Sequence, residues 1–154
     1  MGINYSCCKN NNKNLSWSNT KSFIPPIKSG IVIKVYDGDT ITIATKLPLK
    51  KDNTIYRFSI RLKNIDCPEI NSNNSEEKEY AILAKNALSQ KILNKEVIVK
   101  NTSIEKYGRI LADVYLKNES INNWLLENRY GVKYDGKTKI SPTSWKNFKE
   151  NNII

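Results

Sequence analysis

Three acidic residues stand in two short motifs that suit a hard metal ion. Asp39 belongs to the motif Asp-Gly-Asp-Thr at 37–40, while Asp66 and Glu69 belong to the motif Asp-Cys-Pro-Glu at 66–69. Two carboxylates from different chain segments can converge on one cation, with a backbone carbonyl and waters as its other ligands. Glu69 would then lie close enough to face a metal-bound water. Each motif alone is also typical of an ordinary turn or strand exit.

Two arginines in neighbouring motifs could serve the same chemistry. Arg61 lies five residues before Asp66, and Arg109 ends the motif Lys-Tyr-Gly-Arg at 106–109. A phosphodiester gains negative charge on its phosphoryl oxygens in the transition state of hydrolysis, and planar guanidinium groups bind such oxygens bidentately. A single arginine in a strand is more often a solvated edge residue. One metal ion, two arginines and one glutamate nevertheless make a complete hydrolytic set.

The composition excludes several other kinds of site. The chain has no histidine, and its three cysteines show no repeated spacing. Histidine bases, Ser-His-Asp triads and histidine-ligated zinc are therefore excluded, and the cysteines predict neither a disulfide framework nor a zinc site. Any metal must be held by oxygen, which favours calcium or magnesium. The net charge of +10 attracts polyanions, so nucleic acid and anionic membrane are candidate partners, with a merely soluble basic surface as the plain alternative.

The hydrophobic patterns predict the elements that must position these residues. Strands are predicted over 31–36, 40–43, 55–65 with a bulge near Arg57 and Phe58, 96–99 and 110–115. A helix capped by Asn74 or Ser75 ends near Asn94, a second runs from Ser120 to Gly131, and a short one runs from Pro142 through Phe148. Five strands with a helix after the third predict an α+β domain, a five-stranded OB-fold barrel with helices.

Three blocks in one order carry a family resemblance. The blocks V-x-D-G-D-T, R-L-x-x-x-D-x-P-E and K-Y-G-R-x-L-A closely resemble those of the staphylococcal nuclease family, over about residues 28 to 135. The resemblance implies an OB barrel with helices. It also implies a calcium-dependent nuclease, endonuclease or exonuclease, that hydrolyses phosphodiester bonds in DNA or RNA. We expect a monomer.

The resemblance also assigns metal-binding residues. Asp39 and Asp66 match the aspartates that bind one calcium ion (Ca²⁺) in the family. Cys67 replaces the usual threonine, which supplies only its backbone carbonyl to the metal, so the replacement is expected to be harmless. Asp37 and Thr40 match positions that contact the metal-binding residues rather than the metal ion itself.

The catalytic and substrate-binding positions follow in the same way. Glu69 matches the glutamate that orients or deprotonates the attacking water, and Arg61 and Arg109 match the arginines that clamp the scissile phosphate. The residues expected to contact the nucleotide are Lys106, Tyr107 and, less closely matched, Tyr134.

The first 24 residues differ from the rest of the chain. They are rich in Asn and Ser and contain no acidic residue, which predicts a disordered arm before a nuclease domain over 25–154. The start fits the N-myristoylation pattern M-G-x-x-x-[ST] at Gly2, with Cys7 and Cys8 beside it as palmitoylation sites. We therefore expect membrane association through this arm in a eukaryotic host, and a cytoplasmic protein otherwise.

Two other functions fit part of the same pattern. A catalytically inactive binding module of this family would bind nucleic acid, but such modules typically lose the aspartates, the glutamate or an arginine. A membrane-bound scaffold with a basic face would require neither Glu69 nor both arginines. All of these residues are present, which favours an enzyme. The choice between DNA and RNA stays open.

Overall fold

The computed structural model describes residues 14–48, 53–105, 107–137 and 140–150. Five long strands and three helices follow one another in the predicted order. The strands are β1 (Ser29–Val35), β2 (Thr40–Lys46), β3 (Ile55–Leu62), β4 (Ile65–Asp66), β5 (Glu96–Ile104), β6 (Ile110–Leu116), β7 (Glu119–Ser120) and β8 (Val132–Lys133). The helices are α1 (Ser75–Ile92), α2 (Ile121–Glu127) and α3 (Trp145–Glu150).

The five long strands close into a mixed barrel, so the predicted OB-fold class is confirmed. β3, β2, β1, β5 and β6 are paired in that order, and β3 also pairs with β6. This last pairing is parallel and joins Ile60, Arg61 and Leu62 to residues 110–112. Closure leaves the barrel without an open edge between β3 and β6. It also sets the strand that carries Arg61 beside the strand that follows Arg109.

The barrel interior is filled by β-branched and leucine side chains. Ile41, Ile43 and Ile60 are completely buried, and Leu88 and Ile92 of α1 belong to the same core. Alternate residues point inward along a strand, so the core residues and the outward polar residues of β3 interleave. Asn74 caps α1 by accepting hydrogen bonds from the backbone of Glu76 and Glu77, as predicted. Caps of this kind typically stabilise a helix by about 1 kcal/mol.

Two local predictions about the strands are wrong. The bulge expected near Arg57 and Phe58 does not occur, because β2 and β3 pair without interruption from Thr40–Arg61 to Lys46–Ile55. The register shifts lie instead in β1 and β5. The third strand also ends early, at Leu62, because Asn64 adopts a positive φ of 59°. Ile65–Asp66 then forms β4, which pairs with β8.

The predicted role of Gly131 is also wrong. α2 is capped by Ser120, as expected, but it ends at Glu127, and Arg129 takes the positive φ of 54° after it. Gly131 instead lies against β4: a Cβ there would stand 2.8 Å from the backbone oxygen of Asp66. The glycine is therefore required for a close approach to β4 and not to stop a helix.

The two ends of the chain differ in how fully they are described. Within residues 14–28, the 3-10 turn at Trp17–Asn19 is exposed and Ile27 is buried against the barrel. The predicted arm begins outside the described residues, so its disorder and the boundary at residue 25 stay predictions. α3 begins at Trp145, three residues after Pro142. Among the described helices, none combines the length and apolar character that crossing a bilayer requires.

Candidate active site

One end of the barrel gathers the residues of the first two motifs. Asp39 closes the turn between β1 and β2, and Thr40 pairs with Arg61 across the β2–β3 ladder. The backbone oxygen of Asp39 accepts a hydrogen bond of 2.8 Å from the N–H of Leu62. Asp66 stands at the end of β4, just beyond β3. The strand pairing therefore brings two motifs that lie far apart in the sequence to the same rim.

Arg61 lies between the two aspartates and contacts both. Its Nη1 atom forms an ion pair with Oδ2 of Asp39, and its Nη2 atom donates to Oδ1 of Asp66 at 2.8 Å. The side chains are only 7% exposed for Asp39 and 11% exposed for Arg61 and Asp66. Because few waters screen these charges, the three groups constrain one another strongly.

Asp39 is held by further hydrogen bonds from both motifs. Its Oδ1 atom accepts from the hydroxyl of Thr40 at 3.1 Å, and its Oδ2 atom accepts from the backbone N–H of Cys67 at 2.9 Å. Asp37 accepts from the N–H of Asp39 at 3.3 Å. Asp37 and Thr40 thus both contact Asp39 directly.

The buried setting changes the proton affinity of these groups. Burial raises the pKa of Asp39 to about 7, against the opposing pull of Arg61, and the nearby charge of Asp37 raises it further. Burial also disfavours the charge on Arg61, but Asp39 and Asp66 outweigh it, so the pKa of the guanidinium lies above its usual value. A second cation near Asp39 would favour its ionised form.

The Cys67 side chain is packed in the interior at the base of this site. The residue is 2% exposed. A Cβ at Gly38 or at Gly131 would stand 2.9 Å from its sulfur, so the thiol is packed between these two glycines. Burial raises the pKa of the thiol well above its usual value. These contacts are consistent with a role for the Cys67 backbone alone.

Glu69 is placed by a residue that the motif does not contain. Its backbone N–H donates to Oε1 of Glu77 at 3.1 Å, and the hydroxyl of Ser72 donates to the other Glu77 oxygen at 2.6 Å. Glu77 lies in the first turn of α1. The helix therefore anchors the loop that carries Glu69. Glu77 lies outside the acidic and arginine motifs, and nothing in the spacing of those motifs signals this contact.

Arg109 is held by Glu105, which sequence reasoning missed. The Nε and Nη2 atoms of Arg109 donate to the two oxygens of Glu105 at 2.6 and 2.8 Å. The turn between β5 and β6 brings the two residues together, with Gly108 at a positive φ of 83°. The hydrogen bonds with Glu105 raise the pKa of Arg109 above its usual value. The four-residue spacing between Glu105 and Arg109 is the sequence feature that could have indicated this ion pair.

These residues share one cavity. A pocket of about 200 Å³ is lined by the predicted metal and catalytic residues Asp39, Arg61, Asp66, Cys67, Glu69 and Arg109, together with Asp37. A wider groove of about 890 Å³ adjoins it and shares Arg61, Asp66, Glu69 and Arg109. Tyr107 and Tyr134 line this wider groove, so both lie beside the smaller pocket. Lys106 lies outside the described residues.

The pocket has the charge and the donor atoms that a hard cation needs. Within the described ranges, no group of three or more His, Cys, Asp and Glu side chains is arranged to hold a metal ion. A calcium ion bound by two carboxylates, a carbonyl and waters does not require three. The lining contains four acids and two arginines, an acidic excess on a basic chain. Asp39 and Asp66 are buried, oxygen-bearing and adjacent through Arg61, so they fit such an ion.

Known proteins resemble this chain in sequence. Residues 59–150 match the family model described as "Staphylococcal nuclease homologue". Over 96 residues, 59% of this chain and 36% of the relative, the chain is 32% identical to "Probable endonuclease LCL3" of Kluyveromyces lactis. Over 91 residues, 59% of this chain and 44% of the relative, it is 32% identical to "Uncharacterized endonuclease" of Haemophilus influenzae. The matched part spans less than half the length of either relative.

Proposed function

The chain belongs to the staphylococcal nuclease family, and we propose that it hydrolyses phosphodiester bonds in DNA or RNA with one calcium ion. The observation that carries the proposal is the convergence of Asp39 and Asp66 on Arg61, in a pocket that Glu69 and Arg109 also line. A scaffold that bound only membranes would have no use for buried acids around an arginine. A binding module would not require Glu69 at the same pocket.

Asp39, Asp66 and the backbone carbonyl of Cys67 are the groups proposed to hold the cation. All three residues are buried, which keeps competing water from the donor atoms. A bound divalent ion supplies Lewis-acid polarisation of a phosphoryl oxygen and lowers the pKa of water. Its charge would also balance the acidic excess of the pocket, which Arg61 and Arg109 only partly offset. Calcium is favoured over zinc because the donors are oxygens.

The two arginines are the proposed phosphate clamp. Both line the pocket, and both are oriented by carboxylates: Arg61 by Asp39 and Asp66, and Arg109 by Glu105. A guanidinium has five N–H donors, so the two bonds from Arg109 to Glu105 use only part of its capacity. Arginines fixed in this way meet the phosphate without reorganising, which is how charge stabilisation accelerates hydrolysis.

Glu69 is the proposed residue that orients or deprotonates the attacking water. It lines the pocket with Asp66, and Glu77 fixes its backbone. A carboxylate there can accept a hydrogen bond from water and hold its proton near the phosphate. We propose that Tyr107 and Tyr134, on the wider groove, contact the nucleotide. Lys106 keeps the same proposed role from its place in the motif.

The experiment that tests this function uses end-labelled oligonucleotides. Single-stranded DNA and RNA of matched sequence, and their duplexes, are incubated with the purified chain and calcium or magnesium. Cleavage of any of them, faster in calcium, supports the proposal, and the fragment lengths distinguish internal from terminal cleavage. Binding of all of them without cleavage in either metal would instead identify the inactive binding module.

We also propose that the N-terminal arm anchors the protein to membranes in a myristoylating cell. Gly2, Cys7 and Cys8 carry the pattern and lie outside the described residues. Myristate alone binds membranes weakly and reversibly, so a palmitate on Cys7 or Cys8 would supply the second signal. Fractionation of tagged protein tests this. Wild type should sediment with membranes and Gly2→Ala should be soluble; equal solubility of the two would contradict the anchor.

A further inference from the structure

A second groove adjoins the candidate active site on the outside of the barrel. It lies between the segment that precedes β1, the middle of β3 and the β5–β6 turn, and it has a volume of about 470 Å³. We call it the β3 groove. Phe23 lines it from the first of these segments, Arg57 and Phe58 from β3, and Tyr107 and Arg109 from the turn. A cavity of this size is within the range that holds small organic groups.

The lining of the β3 groove suits nucleotide bases. Phe23 is 66% exposed and Tyr107 is 73% exposed, so both rings present open faces. Two arginines, Arg57 and Arg109, stand among the aromatics, and none of the described lining residues is acidic. Aromatic faces stack on bases while arginines follow the phosphates, which is the usual construction of a site for single strands. The candidate active-site pocket differs, because four of its lining residues are acidic.

The β3 groove is continuous with the proposed substrate path. Tyr107 and Arg109 line both it and the wider groove, and Arg109 also lines the catalytic pocket. A strand whose scissile phosphate contacts Arg109 would therefore enter the β3 groove with its neighbouring nucleotides. Bases in a duplex are stacked on each other and hide the faces that Phe23 would contact, so the occupant must be single-stranded.

We propose that the β3 groove is an additional substrate subsite, which binds single-stranded nucleic acid beyond the cleaved bond. This inference rests on the proposed nuclease function. Phe23 stacks on a base and Arg57 contacts a phosphate, so a segment outside the barrel helps to select long single strands. A dinucleotide that fills only the catalytic pocket does not reach Phe23 or Arg57. Substrate length is therefore the property that this subsite controls.

The test compares a double variant with a matched control. Phe23→Ala/Arg57→Ala removes one exposed aromatic and one exposed cation from the β3 groove. Trp17→Ala/Lys78→Ala removes the same two kinds of exposed side chain from positions that line none of the cavities described above. Each protein is assayed for cleavage of a single-stranded 12-mer and a dinucleotide ester, and for binding of the 12-mer and its duplex by fluorescence anisotropy.

The expected result is selective loss on the long single strand. The groove variant should lose about 10-fold in kcat/KM and in affinity for the single-stranded 12-mer, the scale of one lost stacking contact. It should cleave the dinucleotide like the control. Equal loss on both substrates, equal loss of duplex binding, or no loss at all would overturn the subsite. If the wild type cleaves neither substrate, the nuclease proposal fails. The subsite is then tested by binding alone: the groove variant should lose affinity for the single-stranded 12-mer relative to the control, as measured by anisotropy.

Discussion

The guanidinium of Arg109 is held at two points by the carboxylate of Glu105, through bonds of 2.6 and 2.8 Å. Arg109 therefore has a fixed orientation toward the pocket before any phosphate arrives. In the proposed mechanism Glu105 is a positioning residue, because it lines the wider groove and acts on the phosphate through Arg109.

Glu105→Gln should lower kcat by about 10-fold with little change in KM, since a misplaced donor weakens the transition state more than the bound substrate. The Gln side chain keeps the size and loses the charge that fixes both N–H groups. Arg109→Ala should lose more, about 100-fold, because the donor itself is removed. Steady-state kinetics on one labelled oligonucleotide measures both variants. A rate increase in Glu105→Gln would mean that Glu105 competes with phosphate for Arg109.

Arg61→Ala should reduce the rate by about 100-fold or more and also destabilise the fold. The substitution leaves Asp39 and Asp66 buried without their shared cation, which typically costs about 3 kcal/mol in the free energy of unfolding. Calcium should restore part of this stability in the variant if it binds the same two acids. Urea denaturation with and without calcium measures the effect.

The control for that measurement is Arg57→Ala, an exposed arginine on the same strand. Its free energy of unfolding should change by less than about 0.5 kcal/mol. If Arg61→Ala is as stable as Arg57→Ala in the absence of calcium, then the pairing of Arg61 with the two aspartates does not support the fold.

The motifs and the barrel were predictable because their signals are local or periodic. Runs rich in apolar and β-branched residues mark each barrel strand, and the order of the acidic and arginine motifs carries the family resemblance. The contacts that join the motifs could not be predicted in the same way. Glu77 reaches Glu69 across a loop, and Gly131, just before β8, approaches Asp66 in β4. Such contacts depend on the packed arrangement of elements, which no single stretch of sequence contains.

Gly131→Ala should lower stability and activity together. The new Cβ would stand 2.8 Å from the backbone oxygen of Asp66, and backbone cannot move aside as a flexible side chain can. Overpacking of this kind costs about 1–3 kcal/mol. The shift of β4 would also displace Asp66 from Arg61. Thermal unfolding and the cleavage rate of one labelled oligonucleotide test the two effects. An unchanged melting temperature and an unchanged rate would show that β4 and Gly131 can move apart without harm.

Cys67→Thr should retain calcium affinity and nuclease activity, because only the Cys67 backbone is assigned to the metal. The thiol is packed between Gly38 and Gly131, where a threonine has to fit its extra branch. We expect a small loss of stability, on the order of 1 kcal/mol, with little change in rate. Calcium titration by calorimetry checks the assignment. A large loss of calcium affinity in a folded Cys67→Thr protein would assign the thiol itself to the metal site.

The central claim is that a cation held by Asp39 and Asp66 is required for phosphodiester cleavage. The most direct measurement follows cleavage of a single-stranded DNA oligonucleotide in calcium, in chelator, and after calcium is restored. Wild type and the exposed control Glu79→Gln should cleave in calcium, stop in chelator and recover, whereas Asp39→Asn should stay inactive throughout. Equal cleavage by wild type with and without chelator, or full activity of Asp39→Asn, would contradict the claim.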